Sequence, residues 1–321
     1  MHLDAGIPRL STVYFGGGTP SLLSPLQINT LLEGIALSPD AEITLEINPI
    51  QITQEYAAAL SQTPVNRISL GVQSMLDEDL AYLTRRHKAE AVAGKVRILR
   101  EAGFRNISAD FIYGLPASDV RRVRHSLDLL LAIPFEHISS YLLELYEDTP
   151  LGKDAARLPE DEECAAQYSA ICQMLAAAGF TQYEISNFAR SGRESRHNLL
   201  YWEGHDFLAW GASASGYYRG TRYQNPPDLA QYYQYIQAGR IYGKPDPEAK
   251  PEADYIMMRL RLCRGLSLAE FQQRFGQDFQ SPRAAAIKRL QSQGLILCDS
   301  ESIRLSPAAY FISNSVIADL L

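Results

Sequence analysis

Short apolar runs alternate with amphipathic segments of helical length through the first half of the chain. The runs are rich in β-branched, aromatic and aliphatic residues, and they end at glycine, proline or a polar residue. They predict strands at residues 13–15, 42–49, 67–74, 106–116 and 137–145. Strands that alternate with amphipathic helices form a parallel sheet, either open or curled into a barrel. We therefore predict an α/β fold of this kind.

The segments between the strands predict helices with recognisable start signals. Ser24 is the predicted cap of the first helix, with Pro25 in its first turn, and Asp77 is the predicted cap of a later helix. The predicted apolar stripe of the first helix consists of Leu26, Leu31, Leu32 and Ile35. Further helices are predicted at residues 53–60, 89–102 and 120–132.

The second half of the chain has a different pattern. An acidic, proline-marked segment at residues 158–162 precedes a predicted helix at 163–178, and an irregular, aromatic-rich stretch follows as far as residue 216. Residues 245–252 form a proline-rich link. The last part predicts two short helices and a small hairpin, at residues 267–275, 284–294, 295–298 and 303–305. We therefore predict three parts of the chain, residues 1–158, 159–245 and 246–321.

Two helices followed by a hairpin are typical of a winged helix, a form that commonly reads nucleic acid. Residues 266–321, however, contain five Lys or Arg residues and five Asp or Glu residues. Because nucleic-acid-binding surfaces carry an excess of positive charge, we interpret this part as a packing module. A transcription regulator with an effector-binding barrel is accordingly the least favoured hypothesis.

The composition is that of an ordinary globular protein, with 46% hydrophobic and 21% charged residues among 321. The net charge of −7 argues against nonspecific binding to nucleic acid. No apolar run approaches the ~20 residues of a membrane-spanning helix, and the N-terminus lacks the features of a signal peptide. Four cysteines lie far apart, which is typical of reduced thiols: Cys164, Cys172, Cys263 and Cys298. We expect a cytoplasmic protein.

Glycine and polar residues lie where the predicted strands end. Gly16, Gly17 and Gly18 follow the first strand and lack a Cβ, so their amides can approach a ligand closely. Thr19 follows these glycines, and the other strand ends carry Glu46, Asn48, Gln73, Asp110 and Tyr141. Taken singly, each residue has a structural explanation, such as a turn, a helix cap or a carboxylate that bonds neighbouring amides. Because parallel α/β proteins bind ligands at the carboxyl ends of strands, together they predict a polar ligand pocket.

Six motifs follow one another in the order GGGTPSLLSP, LEINP, RISLGVQS, DFIYGLP, YEISNFAR and HNLLYW. In this order they resemble the oxygen-independent coproporphyrinogen III oxidase-like radical S-adenosylmethionine (SAM) proteins, and they are most similar to the heme chaperone branch of that family. The resemblance extends from Ser11 to the C-terminus. It implies a partial (β/α)6 barrel that carries SAM and a 4Fe–4S cluster, followed by a C-terminal helical domain. We expect this chain to lack the first barrel strand and to end in a winged-helix-like form.

The resemblance also implies roles for particular residues. The positions that match the family's SAM pocket are Gly17, Gly18, Thr19, Glu46, Gln73, Arg85, Asp110 and Leu142. Among them, Gly17 matches a contact to SAM, Glu46 matches a carboxylate near the ribose, and Leu142 matches a residue that packs near the cofactor. The amino group, carboxylate and ribose of SAM require backbone groups, an acid and a nearby cation, which these residue types supply.

The chain departs from the family at three places. The family's first strand ends in a CxxxCxxC motif that holds the cluster, whereas no cysteine precedes Cys164 here. We therefore expect the first strand, the cysteine loop and the first helix to be missing, and this chain as given to perform no radical chemistry. The four cysteines are expected to be buried small residues and not cluster ligands. Ser215 replaces the histidine of the family's GxGAHG loop, and Ser195 replaces a cysteine before HNLLYW.

His197 of HNLLYW is the candidate heme ligand, because an imidazole next to Tyr201 and Trp202 offers a ligand atom beside aromatic side chains. A hydrogen-bonded core histidine is the alternative. HNLLYW and YEISNFAR favour heme handling over oxidative decarboxylation of coproporphyrinogen III in porphyrin biosynthesis. That oxidase activity and a cluster-less porphyrin-binding paralogue remain the alternatives. The expected partner is heme or a porphyrin, with a heme-acceptor protein and a second copy of the chain as further candidates, since residues 13–15 would form an exposed sheet edge.

Overall fold

Five parallel strands form the larger part of the main sheet, and they pair side by side in chain order. In this computed structural model they are β1, Leu10–Phe15; β2, Leu37–Ile47; β3, Arg67–Gln73; β4, Ile107–Tyr113; and β5, His137–Leu142. The sheet curls into a half-barrel, so the predicted parallel sheet is confirmed. β2 begins earlier than predicted because Leu37 pairs with Leu10 across an irregularity in the register.

The structure describes residues 9–145, 151–152, 158–240 and 243–321. The chain divides into two units, one that ends at His197 and one that begins at Asn198. The division into three parts at residues 158 and 245 stays a prediction. Within the described ranges, no helix combines the length and the apolar character needed to cross a membrane.

Two antiparallel strands extend the main sheet beyond β5. β7, Asn187–Ala189, pairs with β5, and β6, Thr181–Glu184, pairs with β7. The interpretation of this segment as irregular is therefore wrong. Phe188 and Ala189 are buried, and Phe188 lies beside Ile138 of β5. Strands of three and four residues are too short to show a clear alternation of apolar and polar positions, which is why the pattern did not predict them.

Helices follow the parallel strands as predicted. They are α1, Pro25–Leu32; α2, Gln54–Leu60; α3, Asp77–Tyr82; α4, Ala89–Glu101; α5, Val120–Leu131; and α6, Asp161–Ala177. The predicted cap at Ser24 is confirmed, because its hydroxyl accepts the N–H of Gln27 and its own N–H donates to the Gln27 side chain. This reciprocal pair gives a partner to the backbone N–H groups of Ser24 and Gln27, which have no acceptor within the helix.

Two details of the helix predictions are wrong. Leu26 and Leu31 are 74% and 52% exposed, whereas Ile28 and Leu32 are buried. The buried residues of α1 are therefore four positions apart, as on one face of a helix. Of the predicted stripe, Leu32 is on this face, and Leu26 and Leu31 are not. Asp77 is the first residue of α3 and not its cap, and its carboxylate accepts an N–H from the start of α4.

The C-terminal unit contains two small antiparallel sheets among short helices. α7, Arg196–Trp202, begins two residues before the unit boundary. The elements after it are β8, Ser215–Tyr218; β9, Thr221–Gln224; α8, Leu229–Gln237; β10, Lys244–Pro245; α9, Pro251–Arg261; β11, Leu266–Ser267; α10, Leu268–Phe275; α11, Ala284–Ser292; β12, Ile296–Cys298; β13, Ser302–Leu305; and α12, Ser313–Ala318. The sheets have the orders β10-β9-β8 and β11-β13-β12. Pairing of β12 with β13 confirms the predicted hairpin.

Candidate cofactor site

The parallel strands have one apolar and one polar face. On β2, Ile43, Leu45 and Ile47 are at most 2% exposed and belong to the apolar face. Because side chains alternate between the faces of a strand, the intervening residues share the other face, here called the lumen face. Its members include Thr12, Tyr14, Glu42, Thr44, Glu46, Arg67, Ser69, Ser108, Asp110, His137, Ser139 and Tyr141. A face this polar inside a parallel sheet indicates a ligand site or an internal hydrogen-bond network.

Two carboxylates, Glu46 and Asp110, lie on neighbouring parts of the lumen face. The Tyr14 hydroxyl donates to Oε1 of Glu46 over 2.9 Å, and the Ser69 hydroxyl donates to Oδ1 of Asp110 over 3.2 Å. Burial raises the pKa of Glu46. Burial, together with the nearby charge of Glu46, raises the pKa of Asp110 to about 6. Carboxylates in this setting can accept hydrogen bonds from ligand hydroxyls, and Asp110 can hold a proton near neutral pH.

The glycine loop after β1 approaches Glu46. Gly17 and Gly18 have φ angles of +74° and +55°, and a Cβ at either position would have no atom within 4 Å. The N–H of Gly17 donates to the Glu46 carboxylate, which opposes the effect of burial on its pKa. Thr19 is exposed and caps a short turn without a side-chain hydrogen bond. The loop therefore combines accessible backbone with an adjacent acid, as binding of a polar ligand requires.

Gln73 and Leu142 lie at the carboxyl ends of their strands. Gln73 ends β3, is buried, and has a φ of +70° where the pairing with β4 is irregular. A left-handed backbone at a residue other than glycine is uncommon and is often found at functional positions. Leu142 ends β5, is 37% exposed, and packs over Gly114. Both residues are therefore at the edge of the sheet where the glycine loop also lies.

Arg85 stands apart from this group. It is half-buried in the loop after α3, where its N–H donates to the carbonyl of Leu80. Burial lowers the pKa of the neighbouring His87, and the charge of Arg85 lowers it further. In the described part of the chain, no contact joins it to the two carboxylates. In the structure Glu46 thus interacts with both Gly17 and Asp110, and Arg85 lies on a neighbouring loop.

His197 also lies on the lumen face, at the start of α7. Its Nδ1 is 2.8 Å from Oγ1 of Thr12, and its ring stacks on Tyr14 with 5.1 Å between centroids. Its N–H donates to Glu42 over 3.1 Å. Burial and the nearby charge of Arg67 lower the pKa of His197 to about 4, so the imidazole is neutral at pH 7. A neutral imidazole is suited either to a metal or to hydrogen bonding within the core.

Sequence reasoning missed three residues of this network. Tyr14 joins Glu46 to His197, and His137 contacts Ser108 and Tyr183, each over 2.8 Å. Arg67 is 2% exposed, and its Nε has no hydrogen-bond partner among the described residues. A signal for them exists, because each belongs to a row of polar residues at every second position of its strand: Thr12 and Tyr14 on β1, Arg67 and Ser69 on β3, and His137, Ser139 and Tyr141 on β5.

The cysteines do not provide a site for a 4Fe–4S cluster. Such a cluster needs three or four thiolates in one place, and the described residues contain no group of three His, Cys, Asp or Glu side chains arranged to hold a metal. None of the four cysteines, all of which lie in the described ranges, forms a disulfide bond. Cys164 is buried, as expected, but Cys172, Cys263 and Cys298 are only partly buried, so that prediction is wrong for three of the four. Cys172 lies on α6, Cys263 in the turn after α9, and Cys298 at the end of β12.

Comparison with known proteins defines the class. Residues 2–130 match the radical SAM superfamily, and residues 253–312 match the HemN C-terminal domain. The solved structure of coproporphyrinogen III oxidase (HemN) from Escherichia coli, described as a radical SAM enzyme, superposes with a TM-score of 0.81 at 22% sequence identity, covering 97% of this chain and 78% of that chain. The fold is therefore that of a radical SAM protein, and the predicted partial barrel is confirmed. Membership of this superfamily implies SAM and a 4Fe–4S cluster for the family.

Curated relatives define the family more closely. Heme chaperone HemW of Lactococcus lactis subsp. lactis (strain IL1403) is 33% identical over 327 residues, which cover 98% of this chain and 86% of the relative. Heme chaperone HemW of Bacillus subtilis (strain 168) is 32% identical, with coverage of 98% and 86%. The chain belongs to the heme chaperone HemW family, and the resemblance inferred from the six motifs is confirmed.

Proposed function

We propose that this protein binds heme and acts as a heme chaperone. The observation that carries the proposal is the similarity to heme chaperones along both units, since the matched segments cover 98% of the chain. The proposed compartment is the cytoplasm, where the four free thiols would stay reduced. Transfer to a heme-acceptor protein and formation of a homodimer are part of the same proposal.

His197 is the proposed iron ligand. With a pKa of about 4 its ring is neutral at pH 7, which is the form that binds iron. The contact between its Nδ1 and Thr12 fixes the ring, in the way that a hydrogen bond to the second nitrogen orients metal-bound histidines.

A hemin titration tests the function and the ligand separately. Purified protein is expected to shift the Soret band of added hemin, and His197→Ala is expected to remove the part of the shift that histidine ligation of the iron produces. His125→Ala, at an exposed position on α5, is the matched control and should behave like the parent. No shift with the parent protein contradicts heme binding, whereas an identical shift in the parent and in His197→Ala contradicts only the ligand assignment.

We propose further that the carboxyl edge of the lumen face binds SAM, through Gly17, Gly18, Thr19, Glu46, Gln73, Arg85, Asp110 and Leu142. The open glycine loop beside Glu46 supports this, because backbone amides and a carboxylate suit the amino-acid and ribose parts of SAM. Glu46 and Asp110 would accept hydrogen bonds from the ribose hydroxyls. SAM bound to a reduced 4Fe–4S cluster supplies a radical, but the cysteines of this chain do not fit a cluster, so we assign no radical step to it.

Calorimetric titration with SAM tests this pocket without any reaction. The parent protein should bind SAM, and Glu46→Gln should weaken binding roughly tenfold, because a charge-assisted hydrogen bond is lost while the contact with Tyr14 can persist. Glu55→Gln, at an exposed position in α2, serves as the control. Equal affinity of the parent and Glu46→Gln, or no binding by the parent, would show that SAM does not use this site.

A further inference from the structure

The C-terminal unit contains a cavity of about 450 Å³ beside the β8–β9 hairpin. We call it the Tyr–Arg cavity, after the residues that dominate its lining: Tyr218, Arg219, Tyr223, Tyr235, Arg240 and Gly243. The hairpin supplies Tyr218, Arg219 and Tyr223, and α8 supplies Tyr235. Arg240 and Gly243 lie between α8 and β10 in the sequence. Its volume lies within the range of ~300–1,000 Å³ that is usual for small-molecule sites.

Glycines shape the aromatic wall of the cavity. Gly216 of β8 lies directly opposite Tyr223 of β9, and a Cβ at Gly216 would overlap the Tyr223 ring. The ring can therefore lie across β8, where it is 3% exposed and its hydroxyl accepts the N–H of Ala209 over 2.8 Å. At Gly243 a Cβ would overlap the backbone of Gln224, so only glycine allows this close approach. Tyr223 is thus fixed at the base of the cavity, and the half-buried rings of Tyr218 and Tyr235 are its more accessible aromatic surface.

Two arginines supply positive charge at the same cavity. The guanidinium carbon of Arg219 lies 5.1 Å from the ring centroid of Tyr218, and that of Arg240 lies 5.2 Å from the ring centroid of Tyr235. In the described ranges neither guanidinium forms an ion pair with a carboxylate. By contrast, Arg222 of the same hairpin pairs with two aspartates. The Asp206 carboxylate accepts the backbone N–H of Arg219 over 3.1 Å but forms no ion pair with its guanidinium. Stacking thus holds two guanidinium groups beside tyrosine rings, which is an arrangement suited to a planar anion.

The backbone at Arg219 gives separate support. Arg219 and Gly220 form the two-residue turn of the hairpin, with φ angles of +51° and +77°. Turns of this kind favour asparagine or glycine at the first position, and a long side chain with positive φ is strained. An arginine at a position where asparagine or glycine is less strained supports a role for its guanidinium beyond the turn.

We propose that the Tyr–Arg cavity binds the carboxylate-bearing edge of a porphyrin. The macrocycle would pack against the tyrosine rings, and Arg219 and Arg240 would each bind one carboxylate. The proposal rests on the proposed heme function and adds a site that does not depend on His197 or on iron. A nucleotide also combines a flat ring with anionic groups, but the porphyrin is favoured because the family handles heme and the chain has a net charge of −7, which disfavours polyanions.

Metal-free protoporphyrin IX and its dimethyl ester provide the test, because they differ in the two carboxylates and neither contains iron. Fluorescence titration should show that the parent protein binds the free acid at least about tenfold more tightly than the ester. Arg219→Gly and Arg240→Ala should each weaken binding of the acid about tenfold and leave binding of the ester unchanged. Arg219→Gly is chosen because glycine suits the φ of +51°, so the variant should fold at least as well as the parent.

Arg264→Ala is the matched control, since Arg264 lines a different cavity of the same unit and pairs with Glu203. It should leave both affinities unchanged. Equal affinities for acid and ester in the parent, equal loss in the control, or displacement of the porphyrin by stoichiometric ATP would each overturn the proposal. These failures differ from failure of the proposed function, which would appear as no Soret shift in the hemin titration.

Discussion

The lumen face and the Tyr–Arg cavity hold their charged groups in opposite ways. On the lumen face, rigid parallel strands bury Glu46, Asp110 and His137 among hydrogen-bond partners from neighbouring strands. In the Tyr–Arg cavity, Arg219 and Arg240 are exposed and rest on tyrosine rings. A ligand of the lumen face must fit hydrogen-bonding groups that are already fixed, whereas a ligand of the cavity needs only a flat surface and matching charge. The first arrangement suits a cofactor that stays bound, and the second suits a cargo that is released.

The largest effect is expected from removing the buried cation of the lumen face. Arg67→Ala should lower the free energy of unfolding by about 2–5 kcal/mol, because it leaves a cavity at a position that is 2% exposed. It also removes the positive charge that helps to keep the pKa of Asp110 from rising further. Urea unfolding followed by far-ultraviolet circular dichroism measures the loss.

Arg67→Met separates the contribution of volume from that of charge. Methionine fills most of the space, and the Nε of Arg67 has no hydrogen-bond partner among the described residues, so this variant should lie within about 1 kcal/mol of the parent or be more stable. If both variants lose the same free energy of unfolding, the charge of Arg67 stabilises the fold, which contradicts the expectation that volume and not charge matters at this position.

In the C-terminal unit, Gly216→Ala should disturb the Tyr–Arg cavity. The added methyl group overlaps the Tyr223 ring, so the ring must move, at a cost of about 1–3 kcal/mol, and porphyrin affinity should fall with it. Gly94→Ala is the control, because its Cβ would lie 3.9 Å from the nearest atom on α4 and should be neutral or slightly stabilising. Tryptophan fluorescence suits the measurement, since Trp202 and Trp210 both belong to this unit. Unchanged fluorescence and affinity would mean that the wall is not rigid.

Asp110→Asn should stabilise the protein at neutral pH. This is expected if the negative charge of Asp110 on the lumen face serves ligand binding and does not stabilise the fold. The pKa of Asp110 is raised to about 6, so its ionised form is disfavoured in the folded state, and stability is lost as pH rises through that value. Each pKa unit corresponds to about 1.4 kcal/mol, and access of solvent reduces the effect, so the gain at pH 7 should be about 1–2 kcal/mol and should vanish near pH 4. Asp128→Asn, exposed on α5, is the control for the change of net charge. A gain that does not depend on pH would exclude this explanation.

The sequence predicted the parallel sheet and the carboxylates at its edge because both depend on local patterns. Strand runs and helix caps are short-range signals, and Glu46 and Asp110 lie in or beside motifs at strand ends. Tyr14 and Arg67 alternate with apolar residues on β1 and β3. They were not predicted, because the apolar residues of these short runs are equally typical of a strand that is buried on both faces.

The Tyr–Arg cavity was harder to predict because its parts come from separate segments. The hairpin itself has a recognisable signal, since Arg219-Gly220 separates two tyrosine-rich runs of strand length. Tyr235 and Arg240 come from α8 and the residues after it, and only the fold brings them to the hairpin. Long-range packing of this kind leaves no periodic trace in the sequence.

The smallest expected effect concerns the pH dependence that His197 gives to the lumen face. Its pKa is lowered to about 4, below the ordinary value near 6.5, so the neutral ring is favoured in the folded state. The corresponding stability is present above pH 6.5 and is lost as pH falls toward 4, because the unfolded chain takes up the proton first. His197→Gln lacks this titration while keeping a side chain that can bond to Thr12, so between pH 7 and pH 5 it should lose about 1 kcal/mol less than the parent. Urea titrations at the two pH values, with His125→Gln as the exposed control, measure the difference. An identical pH dependence in parent and variant would show that the ring titrates freely, and the lumen face would then resemble the Tyr–Arg cavity in its openness to solvent.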